Sequence, residues 1–149
     1  MTVVKICGLK TAEAVAAAVS HGADMVGFVF FPKSPRHIDP ADAAALAASV
    51  PAGVVKVGLT VDMDDAGLAA VVASGAIDML QLHGHETPAR AAEVRSQFGL
   101  PVMKALPIAG PDDVAAARAY EAVADRLLFD AKPPKNADRP GGNAVADAI

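Results

Sequence analysis

The chain alternates short runs of β-branched residues with alanine-rich runs of helical character, and this alternation limits its fold more than any other feature. The pattern repeats at intervals of about 25 residues, which predicts parallel strands joined by crossover helices. The predicted strands cover residues 3–7, 24–30, 54–59, 78–82, 102–106 and 126–130.

Helix boundaries are marked by capping residues. Thr11 can cap a helix that runs to about His21, with Gly22 as its stop. Asp39 and Pro40 supply an N-cap followed by a proline at the first helical position, which is a strong helix start. Three further helices are predicted over residues 64–74, 87–98 and 112–120.

Two architectures use this alternation, the doubly wound sheet and the eight-stranded β/α barrel. The doubly wound sheet calls for a glycine-rich phosphate loop after an early strand, but Gly8 stands alone after the first strand. Polar residues instead follow many of the predicted strands, which is typical of a barrel whose active site lies at the carboxyl ends of its strands. These residues are Cys7, Arg36, Thr60, His83 and Asp130. We therefore predict an α/β fold of the (β/α)8 TIM-barrel type.

The number of repeats is smaller than a closed barrel requires. A barrel of this type has eight strands and usually ~200 residues or more, whereas this sequence of 149 residues offers six β/α units. We expect residues 1–149 to form a single barrel domain from which the last two units are absent. Either the chain is a fragment, a segment is missing, or something else covers the gap.

Composition excludes several functional classes. The net charge of -4 is spread without a basic stripe, so nucleic acid is not an expected partner. The only cysteine, Cys7, cannot form an internal disulfide, and this favours a reducing, cytoplasmic setting. The N-terminus lacks the pattern of a signal peptide, and no apolar run approaches the ~18 residues needed to span a membrane.

Cys7 and Asp130 are the candidate catalytic residues. The last residue of a barrel strand reaches the catalytic mouth, so the Cys7 thiol could take a proton there; the alternative is a small buried core residue. Asp130 ends the sixth predicted strand after an apolar run, and Pro133 prevents a helix from following at once. A carboxyl group held against apolar surface can donate a proton near neutral pH, which favours an acid over a helix cap or loop carboxylate.

Arg36 is the candidate for binding an anion. It lies in a proline-flanked loop after the second strand, where a guanidinium could grip a carboxylate or phosphate, although a solvated arginine remains the alternative. Gly141 and Gly142 form either a loop that closes on a ligand or a simple turn.

For the histidines and for the lysines in the predicted strands, we favour structural or binding roles over catalytic or metal-binding ones. His83 could line the mouth, His85 is expected to be solvated, and the four histidines show no metal-ligand spacing, so no metal is expected. Three lysines lie inside predicted strands. A Schiff-base role is conceivable for one of them, but we favour barrel-interior lysines paired with carboxylates. They are Lys5, Lys56 and Lys104.

An ordered series of short motifs resembles the phosphoribosylanthranilate isomerase family. Each motif is weak alone, but their order and intervals over residues 1 to about 143 are highly specific. The segments are Val4–Leu9, Gly27–Phe30 with Ser34–Arg36, Lys56–Leu59, Gln81–Gly84, Lys104–Ala105, Phe129–Ala131 and Pro140–Gly142.

The resemblance implies a (β/α)8 barrel that performs an Amadori rearrangement of N-(5-phosphoribosyl)anthranilate in tryptophan biosynthesis. It implies that Cys7 is the general base, that Asp130 is the general acid and that Arg36 binds the anthranilate carboxylate. His83, Gly141 and Gly142 are the further expected substrate-binding residues. No cofactor is expected, because the substrate's own nitrogen accepts the electrons. The expected partner is a small phosphosugar, and the expected assembly is a monomer or homodimer.

The C-terminal part departs from the family pattern. The family has two further strands whose exit loops bind the substrate phosphate, and residues 144–149 faintly resemble the helix that follows the seventh strand, arriving too early. A segment missing near residues 141–144 is therefore expected. The alternatives are another phosphate-binding barrel, such as an indole-glycerol-phosphate synthase or a pentose-phosphate epimerase, and an inactive partial barrel.

Overall fold

The computed structural model describes residues 1–131. In this part of the chain, strands and helices alternate as the sequence predicts. The strands are β1 (Lys5–Cys7), β2 (Met25–Val29), β3 (Val55–Thr60), β4 (Met79–Leu82), β5 (Val102–Ile108) and β6 (Arg126–Ala131). The helices are α1 (Ala12–Ser20), α2 (Pro40–Ala47), α3 (Asp65–Ala73), α4 (Pro88–Phe98) and α5 (Pro111–Ala117), and a 3₁₀ turn covers Arg118–Tyr120.

The strands form one parallel sheet in the sequential order β1-β2-β3-β4-β5-β6. A doubly wound sheet reverses its strand order at a switch point, and this sheet does not. The sheet also curls, as shown by a cavity of about 310 Å³ that is lined by residues from both outer strands, including Lys5 of β1 and Leu128 of β6. Sequential order and curl together match the barrel prediction over the described residues.

Two apolar clusters lie on the two faces of the curled sheet. The larger packs the sheet against the helices and includes Phe28, Leu80 and Val102 with Val15 of α1 and Val94 of α4. The smaller lies on the inner face and consists of Met25, Val57, Met79 and Met103, with Val55 and Leu128 packed against them. Because both faces are covered, the strands carry mostly apolar residues on both faces, as parallel strands usually do.

The predicted helix starts are largely confirmed. The Thr11 and Thr87 hydroxyls accept hydrogen bonds from the backbone N–H groups of Ala14 and Arg90, both at 3.2 Å. Asp39 occupies its predicted N-cap position without capping, because its carboxylate lies 3.2 Å from His37 Nε2 instead. Within residues 1–131, no helix is long and apolar enough to cross a membrane.

Candidate active site

The carboxyl ends of the strands bring three of the predicted site residues to one edge of the sheet. Cys7 is the last residue of β1, His83 follows β4 directly, and Asp130 is the penultimate residue of β6. A cavity of about 170 Å³ opens there beside His83 and Asp130. It is lined by Val61, His83, Gly84, His85, Ala105, Leu106, Pro107 and Asp130.

The side chains of His83 and Asp130 lie close together in the wall of this cavity. His83 Nε2 lies 3.4 Å from Asp130 Oδ2, which is close but longer than a well-formed hydrogen bond. The Asp130 side chain is 57% exposed, so it is less enclosed by apolar surface than we predicted. The reason is that β6 is the last strand in the described part of the sheet and pairs there only with β5.

The Gln81 side chain contacts the His83 ring. Its Nε2 lies 3.0 Å from His83 Nδ1, and the Gln81 side chain is buried, with 1% exposure. Residues two apart on a strand share a face, which explains why these side chains meet. Gln81 belongs to one of the motifs that resemble the family, but no role was predicted for it, although it is the single polar residue in the strand Met79–Leu82.

Two glycines make room for the predicted base and the predicted anion-binding residue. A Cβ on Gly27 of β2 would lie 3.0 Å from Cys7 Sγ, so the glycine leaves space for the half-buried thiol. A Cβ on Gly8 would collide with Arg36 Cδ, so the Arg36 side chain crosses the backbone directly after Cys7. The structure therefore brings Arg36 beside the end of β1.

A buried ion pair anchors the loop between β4 and α4. Lys104 Nζ lies 2.9 Å from Glu86 Oε1, and the two side chains are only 2% and 5% exposed. Lys104 also donates to the Gly84 carbonyl at 2.7 Å, and the Tyr120 hydroxyl donates to the Glu86 carbonyl at 2.8 Å. These contacts fix the segment that begins with His83, and sequence reasoning assigned no role to Glu86 or Tyr120.

The same loop is tied to the one that follows β3. The backbone N–H groups of Gly84 and Asp62 donate to the Glu86 carboxylate at 2.8 and 2.9 Å. Asp62 in turn accepts from the His85 backbone N–H at 2.6 Å and contacts His85 Nδ1 at 3.0 Å. The hydrogen bond from His85 lowers the pKa of Asp62 below its ordinary value, and burial raises the pKa of Tyr120, helped by the negative charge of Glu86.

Two of the strand lysines have the predicted carboxylate partners, but Lys104 does not have the predicted position in the barrel interior. Lys56 pairs with Asp78 at 3.2 Å and Lys104 pairs with Glu86, so both have carboxylate partners. Lys104 does not lie in the barrel interior, however. It shares a face of β5 with Val102, which packs against the helices, and its Nζ lies 5.8 Å from the centroid of the Tyr120 ring. His85 is solvated as predicted, with a side chain that is 98% exposed.

The remaining predicted binding residues fall elsewhere. Gly141 and Gly142, which were expected to bind substrate, lie outside the described residues, as does the segment 144–149. Among residues 1–131, no group of three or more histidine, cysteine, aspartate or glutamate side chains is arranged to hold a metal ion.

Comparison with known proteins identifies the family. The family model described as N-(5'phosphoribosyl)anthranilate (PRA) isomerase matches residues 4–144. The N-(5'-phosphoribosyl)anthranilate isomerase of Paracoccus denitrificans (strain Pd 1222) is 62% identical over 143 residues, which cover 96% of this chain and 66% of that protein. The isomerase of Rhodopseudomonas palustris (strain BisA53) is 59% identical over 143 residues, with the same two coverages of 96% and 66%.

Solved structures agree with the sequence matches. The phosphoribosyl anthranilate isomerase from Thermotoga maritima aligns with a TM-score of 0.87 at 32% identity, covering 99% of this chain and 68% of that one. A phosphoribosyl anthranilate isomerase in complex with reduced 1-(o-carboxyphenylamino)-1-deoxyribulose 5-phosphate aligns with a TM-score of 0.82 at 32% identity, covering 89% and 66%.

These matches favour the isomerase family over the synthase and epimerase alternatives. This chain spans 66% of the length of the relatives from P. denitrificans and R. palustris. The aligned region contains Cys7, Arg36, His83 and Asp130, and its curled parallel sheet is the β/α-barrel arrangement predicted from the sequence. The chain belongs to the N-(5'-phosphoribosyl)anthranilate isomerase family.

Proposed function

We propose that the chain carries the catalytic residues of an isomerase that converts N-(5-phosphoribosyl)anthranilate to 1-(2-carboxyphenylamino)-1-deoxyribulose 5-phosphate in tryptophan biosynthesis. The observation that carries the proposal is the family match over residues 4–144, a span that contains every catalytic candidate. The approach of His83 to Asp130 at the carboxyl ends of the strands supports it, because barrel enzymes place their chemistry at this edge.

The reaction begins with ring opening. Asp130, in its protonated form, donates its proton to the ring oxygen of the ribose, and the bond between that oxygen and the anomeric carbon breaks. The anilino nitrogen supplies its lone pair, so a cationic imine forms on the open chain. An exposed carboxyl beside the cavity can reach a bound sugar, which supports this role for Asp130.

Proton removal from the neighbouring carbon follows. The cationic imine draws electrons from the adjacent carbon and makes its proton acidic, so the Cys7 thiolate can remove it. The electron pair moves towards nitrogen and gives an enolamine, which tautomerises to the ketone. Substrate and product are isomers, so no atom is gained or lost and no cofactor is required.

Anion binding orients the substrate. The product analogue bound by the solved relative carries a carboxyphenyl group and a phosphate. We propose that Arg36 holds the corresponding carboxylate beside Cys7, since the Arg36 side chain crosses Gly8. His83 is proposed to line the sugar site, and Gly141 and Gly142 are the further proposed substrate-binding residues.

We propose that the enzyme acts in the cytoplasm as a monomer or homodimer. The single cysteine supports a reducing compartment. One structural relative is described as monomers generated from the dimeric isomerase of Thermotoga maritima and aligns with a TM-score of 0.80 at 33% identity. The proposed partner is the small phosphosugar substrate.

The test is turnover of N-(5-phosphoribosyl)anthranilate by the purified chain, with the ketose product separated by liquid chromatography. We expect Asp130→Asn to lower kcat by about 100-fold or more while the circular dichroism spectrum is unchanged, because general acid catalysis contributes on that scale. Asp112→Asn, at an exposed position in α5, is the matched control and should keep its activity. Normal turnover by Asp130→Asn would overturn the acid assignment.

A further inference from the structure

We propose that Gln81 is a positioning residue that holds His83 as a neutral ring with its proton on Nε2, the nitrogen facing Asp130. This inference rests on the proposed function, because it assigns Gln81 an effect on the acid of that reaction. Gln81 itself is buried beneath His83, away from the cavity that would hold the substrate, so it acts through the ring.

The hydrogen-bonding capacity of the two side chains carries the argument. An amide nitrogen can only donate, so Gln81 Nε2 at 3.0 Å from His83 Nδ1 requires that Nδ1 accept. A ring whose Nδ1 accepts is neutral and carries its proton on Nε2. That proton lies on the atom 3.4 Å from Asp130 Oδ2.

Burial keeps the Gln81 side chain in place. With 1% exposure it cannot turn freely into solvent, and Gln81 Oε1 is also buried and has no hydrogen-bond partner among the described residues. An orphaned buried acceptor costs about 1–3 kcal/mol. Turning the amide would bring Oε1 to Nδ1 and would favour a ring protonated there, so the Gln81 orientation and the His83 proton are coupled.

The neutral ring matters for the acid. Asp130 must hold a proton in order to open the sugar ring, and a cation at 3.4 Å would favour the carboxylate instead. The titratable side chains among the described residues that line this cavity are His83, His85 and Asp130. His85 pairs with Asp62, so His83 is the group whose charge Asp130 faces most directly. By holding His83 as a neutral ring, Gln81 keeps a positive charge away from the Asp130 carboxyl.

Nitrogen NMR tests the tautomer without any need for activity. The chain has four histidines, so ¹⁵N-histidine labelling gives a simple spectrum in which His83→Asn assigns the His83 signals. We expect an acceptor-type Nδ1 and a protonated Nε2 in the native chain at neutral pH. In Gln81→Glu both nitrogens should be protonated, because a carboxylate accepts from Nδ1–H. In Gln81→Met, which has similar volume and no amide, the two tautomers should mix.

Kinetics separates positioning from simple structural support. We expect Gln81→Glu to lower kcat by about 100-fold, to change KM by less than about threefold, and to move the alkaline limb of the kcat profile to lower pH. Gln81→Met should lose about tenfold in kcat. A native His83 protonated on Nδ1, or a Gln81→Glu enzyme whose alkaline limb has not moved, would overturn the proposal.

The experiments distinguish failure of the Gln81 proposal from failure of the proposed isomerase function. If the native chain does not isomerise the substrate, the proposed function fails, while the nitrogen spectra still decide the tautomer. If Gln81→Glu does not fold, the spectra of the native chain and of Gln81→Met decide, and an identical His83 tautomer in both would count against Gln81.

Discussion

At the scale of single residues, the most informative position is Gly8, where backbone conformation and side-chain space act together. Its φ of 82° lies in the left-handed region, which any residue with a Cβ adopts at a cost of roughly 1–2 kcal/mol. A Cβ there would also collide with Arg36 Cδ. The glycine therefore serves both the turn after β1 and the placement of the proposed carboxylate-binding arginine.

Gly22 allows these two effects to be separated. It has a similar φ of 85°, but a Cβ there would meet no atom within 4 Å. We expect Gly22→Ala to lower the free energy of unfolding by about 1 kcal/mol and to leave KM unchanged. Gly8→Ala should cost more and should raise KM several-fold, because Arg36 must move. Urea unfolding and steady-state kinetics measure the two effects, and an unchanged KM in Gly8→Ala would contradict our placement of Arg36.

At the scale of elements, the contacts of the β4–α4 loop depend on the buried pair of Lys104 and Glu86. Removing one partner leaves the other charge buried without its counterion, which typically costs 3–5 kcal/mol. We expect Lys104→Met to lower the free energy of unfolding by about 3 kcal/mol. Lys56→Met is the matched control, because its partner Asp78 is 47% exposed, and it should cost no more than about 1 kcal/mol.

A double-mutant cycle completes this test. If the two charges stabilise the fold chiefly through each other, Lys104→Met combined with Glu86→Gln should be less destabilised than the sum of the single variants by about 1–3 kcal/mol. Urea unfolding of the four proteins gives the coupling energy. Additive single effects would mean that Glu86 is held by the Gly84 and Asp62 N–H groups without help from Lys104.

The order and type of the elements were predictable from the sequence because local chemistry determines them. Thr11 and Thr87 cap the helices they were predicted to begin, and Gly22 and Gly99 have positive φ just after the helices that precede them. Boundaries were less predictable. The helix predicted to reach Tyr120 changes to a 3₁₀ turn at Arg118, and β5 continues two residues past Leu106.

The site was predictable only in part, for a related reason. Strand ends brought Cys7, His83 and Asp130 to one edge, as parallel topology requires. The face on which Lys104 lies was not predictable, because both faces of a parallel sheet are buried and its sequence is apolar on both. Besides Gly84 in its own loop, Glu86 has partners from two distant segments, Asp62 and Lys104, and no local pattern brings such segments together.

At the scale of the whole molecule, apolar side chains are exposed on the outer strands of the sheet and just before β1. Within residues 1–131, β1 pairs only with β2 and β6 only with β5, so both outer strands present unpaired backbone groups in the described structure. The exposed fractions are 49% for Val3, 45% for Val4, 40% for Ile6 and 56% for Phe129. Open apolar strand edges promote pairing between chains.

We therefore expect the purified 149-residue chain to self-associate, so that its apparent mass in sedimentation velocity rises above 15.0 kDa as its concentration increases. Ile6→Lys places a charge on the edge strand β1 and should shift the population towards the monomer, because a desolvated lysine opposes edge pairing. Val114→Lys changes an equally exposed apolar residue, 41% against 40%, on helix α5 and outside both edge strands, and should leave the association unchanged. If the two variants behave alike, association depends on general surface hydrophobicity and not on the strand edge. A single 15.0 kDa species at every concentration would instead mean that the edges are covered in solution.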